Sequence, residues 1–134
     1  MFLLDTDVLS ALRRRDRNPE TVRWVESQRT SDMYISVVTV GEIERGITRQ
    51  RQGDPSFAQE LALWLDRVLA WYSDRVLPVD TATARRWGQL SVTLGHDSAD
   101  LLIAATALEH GLTVVTRNVR HFEPTGVPVL NPLA

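Results

Sequence analysis

Apolar positions along the chain alternate between strand and helix periods. Phe2–Asp5 is a short apolar run of strand type, after which Val8, Leu9 and Leu12 recur at helical spacing up to a solvated cluster, Arg13–Arg17. Asn18-Pro19 reads as an N-cap followed by proline at the first helical position, opening a helix to about Gln28. Met33–Val38 returns to β-type composition, and Thr39 starts a helix carrying Val40, Ile43 and Ile47. Pro55 opens a longer helix with a wide apolar stripe from Phe57 through Leu61, Leu65 and Val68 to Tyr72, suited to the domain's own core or to a partner. Arg75–Val79 predicts a strand, and Asp80 caps a helix with Ala84, Trp87, Leu90 and Leu94 on one side. Leu101–Leu108 is apolar nearly all round, the mark of a buried helix, and His110-Gly111 stops it. Leu112–Val115 is strand-like, Thr116–Phe122 is a polar loop or short helix start, and Val127–Leu130 is a last strand with prolines on both sides, suited to an edge.

Strands separated by one or two helices imply an α/β fold with a parallel sheet covered on both faces. In such folds ligands gather at the carboxyl ends of the strands, where the strand order reverses. That rim is where the chemistry belongs.

The chain's 134 residues carry no internal repeat and no linker able to divide them, so a single domain over 1–134 is expected. No apolar stretch approaches the ~20 residues of a membrane span, and Asp5 and Asp7 stand where a signal peptide would carry basic residues. A cytoplasmic protein with no membrane partner is expected. There is no cysteine, which removes disulfides, thiolate metal sites and cysteine nucleophiles. All 15 basic residues are arginine, so Schiff-base, P-loop and phospho-receiver lysines are excluded. With 17 acidic residues the net charge is −2, and a polyanion would have to be met by local arginine clusters.

Three carboxylates from distant segments converge on the predicted rim: Asp5 at the end of the first strand, Glu42 near the start of a helix, and Asp100 opening the buried helix. Each also has an ordinary use. Thr39-Val-Gly-Glu42 and Asp97-Ser-Ala-Asp100 both fit capping boxes, and Asp5 fits a plain N-cap. Capping gives no reason for all three to share one rim without a basic partner, whereas a divalent cation does. Oxygen-only ligation suits Mg2+ or Mn2+, and without Cys or a His pair zinc is a poor match. Asp7 either serves a metal-bound water or is an exposed first-turn acid. Thr116 is placed to orient Asp5 through its hydroxyl. Arg45 and Arg49 follow Glu42 on roughly the same helix side, and Arg117, Arg120 and His121 flank Asn118; these are the candidate phosphate contacts. Arg13–Arg17 lie at the far end of their helix. The four tryptophans fall in predicted helices, where core or subunit packing is the default.

The segments around Asp5 (MFLLDTDVLS), Glu42 (SVVTVGEIERGI) and Asp100 to Asn118 (DLLIAATALEHGLTVVTRN) resemble, in order and spacing, the successive motifs of the PIN-domain family, especially the bacterial VapC and FitB-like toxins of type II toxin–antitoxin systems. The resemblance covers essentially the whole chain. It implies a Rossmann-like α/β/α sandwich with a central parallel sheet, a homodimer, and Mg2+- or Mn2+-dependent endoribonuclease activity. The substrate would be RNA, such as tRNA, and the protein partner a cognate antitoxin whose C-terminal segment lies over the acidic site. Family acids map onto Asp5, Glu42 and Asp100 as metal ligands. Many relatives have a fourth acid where this chain has Asn118 or His121, so Asn118 takes its place in the catalytic set without adding charge. The competing reading is a non-catalytic module of the same fold that binds RNA or protein.

Overall fold

The computed structural model describes residues 1–133. Five short strands, β1 (Phe2–Leu4), β2 (Met33–Ser36), β3 (Val76–Leu77), β4 (Thr113–Val115) and β5 (Val129–Leu130), form one all-parallel sheet in the order β3-β2-β1-β4-β5. The helices are α1 (Thr6–Ala11), α2 (Pro19–Glu26), α3 (Val37–Gly53), α4 (Pro55–Tyr72), α5 (Thr81–Leu94), α6 (Ala99–His110) and α7 (Val119–Phe122). Helices cover both faces of the parallel sheet, as the alternation of periods predicts, in the α/β/α sandwich that the resemblance implies.

Side chains leave a strand to alternate faces, and β1 shows why both faces must be covered. Leu3 and Leu4 are both fully buried yet belong to different cores. Leu4 packs with Leu9, Ile35, Ile43, Ile47 and Val115 on the side of α1, α3 and α4. Leu3 packs with Ile103, Ala107, Val114 and Phe122 on the side of α6 and α7. Each such leucine contributes about 1.5–3 kcal/mol by leaving water. Helix α6 is covered by the sheet on one side and by α5 on the other, which explains its all-round apolar sequence. Gly111 ends it at φ +65, a conformation that disfavours side chains, and lets Leu112 N–H return to the Ala107 carbonyl at 2.9 Å.

Several boundaries differ from the sequence reading. β2 stops at Ser36 rather than Val38, because the Ser36 hydroxyl accepts from Val38 N–H at 3.0 Å and starts α3 two residues before Thr39. β3 is shorter than Arg75–Val79: Arg75 instead clamps the corner, donating to the carbonyls of Met33 (2.7 Å) and Trp71 (2.9 Å) with its guanidinium over the Tyr72 ring. β5 begins at Val129, Val127 being buried outside the ladder, and it is an edge strand as expected. Asn18 makes no side-chain cap on α2; its amide donates to the carbonyls of Ala11 and Arg14 and closes the end of α1. Trp71, placed with the packing residues from sequence, is 65% exposed. Among the described residues no helix is long and apolar enough to cross a membrane.

Candidate active site

The chain leaves β1 toward β2 and β3 on one side of the sheet and returns to β4 and β5 on the other, so strand order reverses between β1 and β4. Asp5 and Thr116 follow those two strands directly. The Thr116 hydroxyl donates to Asp5 Oδ2 at 2.8 Å, and Asp5 N–H donates to the Val115 carbonyl at 2.9 Å. Asp5 is also the N-cap of α1, with Oδ1 accepting from Thr6 N–H at 2.8 Å. The capping use and the site use of this carboxylate are therefore the same geometry.

Thr6 ties the second acid to the first. Its hydroxyl donates to Glu42 Oε1 at 2.6 Å and lies 3.0 Å from the buried Thr39 hydroxyl. The Thr39–Glu42 capping box does not form, because α3 is already capped by Ser36 and both residues lie inside the helix. On the far side of the rim, Asp100 sits in the first turn of α6 with Oδ2 3.0 Å from His121 Nδ1. Asp97 is not the cap of α6; Ser98 holds that position, without a side-chain bond.

Burial and neighbouring charge set how readily Asp5 ionises. Asp5 is raised from 3.8 to about 7, first by burial, then by the charge of Asp7 and, more weakly, that of Asp100; the bonds from Thr116 and Thr6 pull the other way. Asp7 itself faces inward. Its Oδ2 accepts from Arg117 N–H (3.1 Å) and the Asn118 amide (3.3 Å), while Oδ1 is buried with no partner among the described residues.

Arginine positions separate into two groups. Arg117 donates to Asn18 Oδ1 and to the Asp7 carbonyl, both at 3.2 Å, and lies 3.7 Å from the Asp7 carboxylate, so its guanidinium fastens the loop after β4 to α1. Arg45, Arg49 and Arg120 are exposed and form no ion pair among the described residues. Asn118 is exposed, and its N–H donates to the Thr116 hydroxyl at 2.9 Å. The sequence reading missed Thr6 as the link between Asp5 and Glu42, and the fixed role of Asp7. The signal for both was their place in the first turn after the central strand.

Among the described residues, no three His, Asp or Glu side chains already stand as a finished ligand set for a metal. The donor chemistry nevertheless fits a hard divalent cation. Asp5 is buried beside other carboxylates and, among the described residues, Asp7 keeps an unpartnered buried oxygen and no arginine nitrogen lies within 4.0 Å of Asp5, Glu42 or Asp100.

Comparison with known proteins agrees with this architecture. The PIN domain family model matches residues 2–126. The chain is 35% identical to toxin FitB of Neisseria gonorrhoeae, covering 98% of each chain. It is 33% identical to the VapC ribonuclease Y4jK of Sinorhizobium fredii, over 98% of this chain and 97% of the relative. The crystal structure of FitAcB from N. gonorrhoeae superposes with a TM-score of 0.85 at 35% identity, over 99% of both chains. A rim of acids at the β1/β4 reversal, on a fold and sequence shared over nearly the full length, makes this chain a member of the PIN domain family.

Proposed function

We propose that the protein is a metal-dependent endoribonuclease, the toxin of a type II toxin–antitoxin pair. The observation that carries the reading is the junction of Asp5, Thr6, Glu42 and Thr116 at the reversal of strand order, with the charge of Asp100 felt at Asp5. The names of relatives, a toxin and a ribonuclease, support the same assignment.

Asp5, Glu42 and Asp100 would hold Mg2+ or Mn2+, and such an ion, when bound, supplies activation of water and polarisation of a phosphodiester. The chain's own part is positional. Thr116 and Thr6 hold the two Asp5 oxygens, Thr6 aims Glu42, and His121 braces Asp100. Asn118 offers an amide, not a charge, in the fourth position, so fewer anionic ligands are available there. Arg45, Arg49 and Arg120 are free to meet substrate phosphates, with the RNA presented as an unpaired segment, as in a tRNA loop. A cognate antitoxin and a homodimeric toxin belong to the same proposal.

Cleavage of RNA with Mn2+ or Mg2+, with and without EDTA, tests it. Wild type cleaves only with metal, and Asp5→Asn and Asp100→Asn lose cleavage. Equal cleavage by the variants removes this site. The non-catalytic reading draws on Asn118 and on the lack of a finished ligand set among the described residues; it predicts weak heats on Mn2+ titration and no turnover.

A further inference from the structure

The acidic rim cannot by itself hold an anionic polymer, and Arg45, Arg49 and Arg120, named as phosphate contacts from sequence, do not line its neighbouring groove. Beside Thr6 and Glu42 a concavity of about 420 Å3 runs between α1, α3 and α4, and its walls include Arg13, Arg14, Gly46, Phe57 and Trp64. Arg117 also borders it but is engaged with Asp7 and Asn18. Arg13 and Arg14 are half-buried, and neither forms an ion pair or side-chain hydrogen bond among the described residues.

We propose that Arg13 and Arg14 form a phosphate subsite that holds the RNA strand running out of the acidic rim. The inference rests on the endoribonuclease reading and adds to it the residues that bind the strand beyond the scissile bond. Three observations support it. The groove is continuous with Glu42 and Thr6, so a strand placed at the rim enters it. The Arg13 guanidinium carbon lies over the Phe57 ring, 5.1 Å from its centroid, an attraction that steadies the side chain at the groove while its N–H groups make no side-chain hydrogen bond among the described residues. The arginines are also held together at a cost: burial, then the neighbouring charge of Arg14, pushes Arg13 below the usual guanidinium range, with Glu60 only partly opposing. An anion relieves that repulsion. The Arg13–Arg17 cluster, read from sequence as lying away from the site, thus has its first two members on the groove.

The test is steady-state cleavage of a short single-stranded RNA in Mn2+ at several salt concentrations, for wild type, Arg13→Gln, Arg14→Gln, the double variant, the double Arg→Lys variant, and Arg85→Gln on α5 as a charge-matched control. The expected result is a rise in KM of about tenfold for the double Gln variant with kcat little changed. The slope of log KM against log salt falls by about 0.7 per arginine removed. The Lys variant recovers most of the loss and Arg85→Gln behaves as wild type. If the double Gln variant matches Arg85→Gln in KM and slope, the subsite is overturned while the endoribonuclease reading stands. If wild type does not cleave, both fall. If polyglutamate binding depends on the two arginines while KM for RNA does not, the groove belongs to an acidic peptide and the proposal is overturned.

Discussion

The Thr116 hydroxyl donates to Asp5 Oδ2 at 2.8 Å, joining residues 111 positions apart across the reversal between β1 and β4. Thr116→Val keeps the shape, removes the donor, and leaves Asn118 N–H to water. Metal-supported cleavage should fall about 10–100-fold, as when a ligand loses its supporting bond. The fold should lose only about 1 kcal/mol. RNA cleavage assays beside urea melts measure the two effects, and undiminished activity would contradict an orienting role.

Asp5 holds its proton more tightly in the folded protein, at about 7, than in the unfolded chain, near 3.8. Its contribution to stability is therefore fully present below pH 3.8 and is lost as pH rises toward 7. Asp5→Asn keeps an acceptor for Thr6 and a partner for Thr116 without that loss. In EDTA, its urea midpoint relative to wild type should rise between about pH 4 and pH 8. A constant difference would show that the carboxylate is not strained by its neighbours.

Arg117 and Arg120 are three residues apart and predict opposite outcomes. Arg117→Ala removes bonds to Asn18 and Asp7 and should cost about 1–2 kcal/mol in a urea melt. Arg120→Ala, on an exposed position, should stay within about 0.5 kcal/mol and show its effect in KM for RNA.

Ser36→Ala tests where α3 begins. Loss of the cap to Val38 N–H should destabilise the protein by about 0.5–2 kcal/mol. A change of that size is measurable by thermal or urea unfolding.

The layers of the fold were legible because period and burial agree: the apolar run at 101–108 is α6, buried between sheet and α5. Strand ends were less legible where a polar side chain decides them. Ser36 lies inside a β-type run, and only its hydroxyl bond to Val38 turns the chain into a helix. In the site, Asp5 directly follows β1, Glu42 lies in the early turns of the helix that follows β2, and Asp100 opens the helix that leads into β4, while the Thr116–Asp5 bond follows from β1 and β4 ending side by side. The engagement of Arg117 was hidden because its partners, Asn18 and Asp7, are about a hundred residues away. A charged residue beside a site reads the same whether it waits for a ligand or fastens a loop.

The central strand is made first and its neighbour β4 last but one, with α1 through α6 synthesised between them. A chain emerging from the ribosome thus carries Asp5 long before the segment that pairs with it, and this long separation slows the closing of the sheet. Whatever the rim does when assembled, a growing polypeptide cannot do it until residues near 116 to 121 have left the exit tunnel.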